Sequence, residues 1–221
     1  MVDDMLGGIA YSFGISNDPS WDLGMYKLGY EVYMYDHTVD APSEIKGYKD
    51  KMHFFKLGIA DRCVCDNLKT LDELIKRNGH ERERDMILKM DVEGAEWGFL
   101  EMVSSETLAR FRQIVFELHN MNLADDYKIA ALSKLYETHR VVHIHGNNYG
   151  GYISIYSHII PDTWEVTYLR NDFVGKMLKN VSLPVSNDRP CNKDEEEIIL
   201  GDWNRPWNIR ANGLLFGTSA L

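Results

Sequence analysis

Much of what this chain lacks narrows what it can be. It holds only three cysteines, Cys63, Cys65 and Cys191, an odd count without a second spaced pair. That pattern signals neither a disulfide framework nor a zinc module, and it reads as free thiols in a reducing compartment, a redox or metal function of Cys63 and Cys65 being the alternative. No apolar run approaches the roughly 20 residues that span a bilayer. The opening residues, MVDDMLGG, are acidic where a signal peptide is basic, so the expected location is cytoplasmic. Basic residues are scarce too: 24 Lys and Arg against 34 Asp and Glu give a net charge of −10. Such a balance argues against nucleic acid and anionic membranes as partners and favours small molecules.

What remains is an ordinary globular chain of 221 residues, 44% hydrophobic, enough for one domain with a substantial core. Short apolar runs alternate with amphipathic stretches. Strands are expected at IAYSFG (9–14), YEVYMYD (30–36), MHFFKLGI (52–59), MILKMD (86–91), QIVFELH (113–119), HRVVHIH (139–145) and WEVTYL (164–169). Helices are expected at SWDLGMYKLG, at KTLDELIKRNG with Gly79 as its stop, at GAEWGFLEMV and at DYKIAALSKLYETH. The second, fourth and fifth strands are apolar on successive positions, as parallel strands covered on both faces are. This rhythm implies an α/β fold with a doubly wound, mostly parallel sheet. Residues 1–180 form the expected main domain, with YISIYSHII as an extra strand or a loop over the site. Residues 181–221, weakly patterned, form a tail packed on it.

In such sheets ligands bind beyond the carboxyl ends of the strands. Strand one ends in SFGISND, where Gly14 permits the tight turn that a ligand cradle needs. Strand two ends in Asp36 and His37, where nucleotide sites place an acid for ribose hydroxyls. Strand three ends in Gly58, Ile59, Ala60 and Asp61, a small-residue turn beside which an adenine fits. Strand four ends in LKMDVEGAEW: Asp91 and Glu93 are two apart and share a side in extended chain, while Glu96 reads as a helix-dipole residue. Strand five ends in Glu117, Leu118, His119, and strand six in His143, Ile144, His145, Gly146, Asn147, Asn148. So many polar groups along one sheet edge call for partners or a ligand.

The segments YSFGISNDPSWD, EVYMYDHT, LKMDVEGAEWGFLE, IVFELH and VVHIHGNN, in that order, resemble the FkbM-type branch of class I S-adenosylmethionine-dependent methyltransferases, over about residues 8–170. The resemblance implies a Rossmann-like seven-stranded sheet with an antiparallel last strand, and O-methylation of a saccharide or other small molecule such as a glycan precursor or natural product. It implies that Gly14, Ile15 and Ser16 line the methionine part of S-adenosylmethionine, that Asp36 with His37 holds the ribose, that Gly58, Ile59 and Asp61 border the adenine, and that Asp91 closes the floor. The chain departs from the family at strand one. Tyr11, Ser12, Phe13 and a single Gly14 stand where an acidic residue and a G-x-G-x-G turn are usual.

Methyl transfer to a hydroxyl needs a base or a metal, because a hydroxyl's pKa lies far above neutrality. The candidate bases are His119 and His145, oriented by Glu117 or Glu93. Asn147 and Asn148 are candidates to hydrogen-bond the substrate, and Trp21 is a candidate pocket wall. Alternatively Asp91, Glu93 and His119 hold a divalent ion such as Mg²⁺. The rival readings are an NAD-type nucleotide-binding domain, which calls for the G-x-G-x-x-G that SFGISND does not supply, and a non-catalytic domain of the same fold.

Overall fold

The computed structural model describes residues 7–48, 50–60, 65–121, 125–155, 158–175 and 181–203. The strands of its main sheet are β1 (Gly8–Phe13), β2 (Tyr30–Tyr35), β3 (Met52–Phe55), β6 (Met86–Met90), β7 (Phe111–Leu118), β8 (His139–Ile155) and β9 (His158–Arg170). Their order is β3-β2-β1-β6-β7-β9-β8. The β3, β2, β1, β6 and β7 strands pair in parallel, and β9 runs antiparallel between β7 and β8. This is the expected Rossmann-like, mostly parallel seven-stranded sheet with an antiparallel last strand. Between the strands lie α1 (Ser20–Lys27), α2 (Leu71–Arg77), α3 (Glu96–Met102), α4 (Ser105–Leu108) and α5 (Asp126–Thr138), and two short pairs, β4 (Gly58–Ile59) with β5 (Leu68–Lys69) and β10 (Val181–Leu183) with β11 (Gly201–Trp203).

Strand alternation sends neighbouring residues to opposite faces. Tyr11, Phe13, Leu88 and Met90 join a core with Leu74, Trp97, Phe99, Leu108 and Leu135 of the α2, α3, α4 and α5 helices. Ala10, Val32, Met34 and Ile87 join a second core with Met25 of α1 and with Ile45. The tyrosines of YEVYMY stack across strands as packing residues, with ring centroids 5.0 Å apart for Phe13 and Tyr35 and 5.1 Å for Tyr35 and Phe55. Their hydroxyls are satisfied from the end of α2, where Asn78 Nδ2 donates to Tyr35 Oη at 2.6 Å and to Tyr11 Oη at 3.0 Å. That helix is fixed at its start by a reciprocal pair of bonds between Thr70 and Glu73, and Gly79 follows its end at φ +76°.

Three expectations about elements need correction. The third strand does not run through residue 59; it stops at Phe55, and Gly58–Ile59 pairs separately with Leu68–Lys69. Strand six does not end at His145, and HGNNYGG is not a turn. The β8 strand continues to Ile155 with its register shifting between Asn147 and Tyr152, and Tyr152–Ile155 pairs antiparallel with His158–Pro161 at the start of β9. Inserted residues of this kind bend a strand and re-aim its side chains. Residues 181–203 also carry more regular structure than their composition suggests. Val181–Leu183 and Gly201–Trp203 pair antiparallel, and Leu183 and Ile198 are buried. Among the described residues no helix is long and apolar enough to cross a membrane.

Candidate active site

The chain leaves β1, builds β2 and β3 outward, then returns to place β6 on the other side of β1. Ligand crevices open at this reversal, and Gly14 and Asp91 meet there. A Cβ on Gly14, whose φ is +75°, would lie 1.5 Å from the Asp91 carbonyl oxygen. Only glycine fits. Lys89 Nζ donates to the Gly14 carbonyl and lies 3.4 Å from Asp91 Oδ2, tying the two strand ends together. Ser16, Glu93 and Asn120, just beyond β1, β6 and β7, have φ of +49°, +55° and +57°. Left-handed conformations at non-glycine residues collect where a site over-determines the backbone.

Asp36 ends β2 as expected, and its carboxylate is already engaged. Oδ2 accepts from the Ile15 and Ser16 amides, both at 2.9 Å, and Oδ1 accepts from Thr38 N at 2.8 Å and Thr38 Oγ1 at 2.6 Å. Burial works against its charge, but these bonds outweigh it and hold the carboxyl at about 2. Asp36 thus shapes the Gly14–Ser16 loop. The exposed His37 ring lies over Gly58, where a Cβ would come within 2.5 Å of Nδ1. Asp61 lies outside the described residues. Trp21 is not a wall of the cavity described next: it packs against the α1-side core.

That cavity, of about 330 Å³, opens at the ends of β6 and β7 beside the middle of β8 and β9 and is lined by Glu93, Glu117, His119, Asn147, Tyr149, Gly150 and Thr163. Asn147 Nδ2 donates to Glu117 Oε1 at 2.6 Å, and Asn147 Oδ1 accepts from Tyr149 N at 2.8 Å. Burial, and then the negative charge of Asp91 beside it, push the Glu117 carboxyl up to about 7. His119 is held from two sides, with Nδ1 3.1 Å from Glu96 Oε1 and Nε2 3.4 Å from Glu93 Oε2. Burial alone would lower its pKa; the bond to Glu96 and the charges of Glu96, Glu117 and Glu93 overcome it and raise it to about 9. The same segment is pinned through its backbone, Trp97 Nε1 donating to His119 O at 2.8 Å and Lys128 Nζ to Asn120 O at 2.7 Å.

With its pKa raised to about 9 by these carboxylates, the His119 imidazole favours the protonated form near neutrality. Its orienting partners are Glu96 and Glu93, and Glu117 contributes charge. Glu96, read from the sequence as a dipole residue, is fully buried at 0% exposure, accepts from Val92 N at 2.9 Å and grips His119. His145 is likewise held among acidic groups. It lies between Glu165 Oε2 at 2.9 Å and Glu197 Oε1 at 3.1 Å, and contact with the Cys191 sulfur and with Glu165 pushes it up to about 11. Asn148 is not among the residues lining the cavity; its side chain bonds the backbone of Asn192, Glu195 and Glu196. The expected metal set changes by one member: the side chains whose ligand atoms lie within 4.8 Å of one another are Asp91, Glu117 and His119, without Glu93.

No curated protein matches the chain. Among solved structures, a candidate hemolysin from Streptococcus thermophilus superposes with a TM-score of 0.43 at 12% identity, covering 74% of this chain and 59% of that one. A candidate RNA methyltransferase from Pyrococcus horikoshii gives 0.42 at 15% identity, with 76% of each chain covered. A candidate type 11 methyltransferase from Sulfolobus solfataricus gives 0.38 at 12%, covering 79% of this chain and 89% of that one. Residues 31–149, more than half of the chain, match the methyltransferase FkbM domain. The chain belongs to the FkbM methyltransferase family.

Proposed function

We propose that this chain transfers a methyl group from S-adenosylmethionine to a hydroxyl of a small molecule or saccharide, with Glu117 removing the hydroxyl proton. One observation carries the reading: Glu117 projects into the cavity at the strand ends, held by Asn147 and next to Asp91 of the DVEG turn. A carboxylate whose pKa lies near 7 is matched to proton removal at neutral pH. His119, protonated, is the positive charge that balances the surrounding carboxylates. Asn147, Thr163 and Glu93 offer hydrogen bonds to a polyhydroxylated acceptor, and the Tyr149 ring borders the opening at 72% exposure.

Family membership implies S-adenosylmethionine, and the residues at the switch point fit it. An ionised carboxylate closes β2 and a side-chain-free position closes β1 against Asp91. Gly14, Ile15 and Ser16 would hold its methionine part, Asp36 and His37 its ribose, and Gly58 and Ile59 its adenine. When bound it supplies a methyl group already activated for displacement, so the chain's task is alignment and proton removal. The Thr38 hydroxyl, which rotates freely, is the donor that can leave Asp36 Oδ1 to a ribose hydroxyl.

A divalent ion at Asp91, Glu117 and His119 is the second reading, favoured by the convergence of their ligand atoms. Methyl-transfer assays on nucleotide sugars and glycan precursors, run with and without chelator, test both. Activity that survives chelator and is lost in Glu117→Gln supports the base; activity abolished by chelator and restored by Mg²⁺ supports the metal. Calorimetric titration tests the cofactor. Binding of S-adenosylhomocysteine is expected, and binding of NAD in its place would overturn the proposal.

A further inference from the structure

Beside the cavity, where Glu165 pairs in register with Glu117, a second cluster joins three parts of the chain that are far apart in sequence. His145 of β8 and Glu165 of β9 are paired in register, and Cys191 comes from the segment between β10 and β11. We propose that His145, Glu165 and Cys191 bind a zinc-type divalent ion that fastens this C-terminal segment to the sheet. His145 Nδ1 lies 2.9 Å from Glu165 Oε2, Cys191 Sγ lies 3.1 Å from Glu165 Oε1, and the sulfur and the ring nitrogen are 3.8 Å apart. Tetrahedral zinc, with bonds of about 2.3 Å to sulfur and 2.0–2.1 Å to nitrogen or oxygen, holds its ligand atoms roughly 3.3–3.7 Å apart. The sulfur and the ring nitrogen stand close to that spacing at 3.8 Å, Glu165 presents one carboxylate oxygen to each, and one ligand atom from each of the three residues lies within 4.8 Å of the others. One nitrogen, one sulfur and one oxygen suit zinc and exclude magnesium and calcium, which take oxygen alone.

A second observation points the same way. Glu197 Oε1 meets the far ring nitrogen of His145, Nε2, at 3.1 Å and is itself fixed by the Ile198 amide at 2.9 Å. A carboxylate behind the imidazole holds the hydrogen on that nitrogen and leaves Nδ1 for a metal, as in carboxylate–histidine–zinc sites. His145 is 3% exposed, whereas Glu165 and Cys191 are only partly covered, which leaves an entry path and a fourth position for water. Glu165 and Glu197, which hold a proton on His145, also attract a dication, and binding releases that proton together with the Cys191 thiol proton. None of the three ligands lines the cavity, so the site does not depend on the methyl-transfer reading. Cysteine spacing is silent on it, because one ligand of each type comes from a different segment.

The full chain, exposed to Zn²⁺ and then desalted, is analysed by elemental emission. One zinc per chain is expected in the wild type and in Asp91→Asn, and none in Cys191→Ser or His145→Ala. Circular dichroism establishes that the variants are folded. Cobalt substitution is expected to give a thiolate-to-metal absorption band that Cys191→Ser lacks. Alkylation mapped by peptide mass keeps the test independent of any variant: zinc is expected to slow labelling of Cys191 about tenfold or more, and chelator to restore it. Wild-type protein that takes up no zinc, unchanged zinc content in Cys191→Ser, or zinc lost in Asp91→Asn instead, would each overturn the proposal.

Discussion

Glu117 and His119 sit two positions apart at the end of β7, and their surroundings drive their proton affinities in directions that suit different tasks. Burial and Asp91 keep Glu117 near 7, while Glu96 and Glu93 keep His119 near 9. If Glu117 is the base, wild-type kcat/KM rises through about pH 7 as the carboxyl ionises and stays level until His119 loses its proton near 9. Glu117→Gln is expected to remove the lower limb and to reduce kcat by about 10²- to 10⁴-fold, measured as methyl transfer across a pH series. A second residue-scale consequence concerns stability. Asp22 of α1 is 1% exposed, its Oδ1 lacks a partner, and burial raises its pKa from 3.8 to about 6 against the opposing Ser12 hydroxyl and Lys89 charge. A raised pKa means that the folded state favours the protonated acid. The stability this brings is full below about pH 4 and lost as pH rises through 6. Asp22→Asn, which mimics the protonated form, is expected to stabilise the fold above pH 6 by up to about 3 kcal/mol, with the gain vanishing below pH 4 in denaturant titrations.

Elements matter here through where they stop. The β1, β6 and β7 strands all end in left-handed residues, and β8 carries an irregularity at Asn148–Gly151 that brings Tyr149 and Gly150 to the cavity. The loop after β1 manages with one glycine where the family commonly has several, because Asp36 accepts both following amides and Lys89 holds the carbonyl. Gly14→Ala is expected to destabilise the protein by at least about 2 kcal/mol, since a Cβ at that φ collides with the Asp91 carbonyl and the backbone has to move. In the same variant, calorimetry is expected to show S-adenosylhomocysteine binding weakened or lost, because the displaced carbonyl belongs to the strand end that closes the cofactor site.

For the whole molecule, cofactor binding and folding are linked. A ligand that binds only the native state at 100 times its Kd adds about 2.7 kcal/mol. For a domain of this size that corresponds to a rise in Tm of roughly 5–11 °C. Thermal unfolding with S-adenosylhomocysteine at that excess is expected to show such a rise, and NAD at the same concentration is expected to show none. Residues 181–203 pack on the same core. Leu183 lies in the main core, Ile198 is buried, and Asn148 bonds three of the segment's carbonyls.

By itself the sequence determined the alternation of strands and helices, the parallel core and the polar edge at the strand ends, because periodicity and strand termination are local properties. Asp91, Glu93, Glu117 and His119 were legible for that reason: each lies at or just past a strand end, where side-chain direction follows from spacing, whereas Asn147 lies inside β8. Tertiary structure alone decided their roles. Which carboxylate faces which imidazole depends on register between strands that are distant in the chain, so the grip of Glu96 on His119, the entry of Thr163 into the cavity and the capture of His145 by Cys191 and Glu197 have no local signature. Proton affinity follows burial and neighbouring charge, and both exist only once the chain has folded. That is why the base proposed here is Glu117, although the sequence pointed to the histidines.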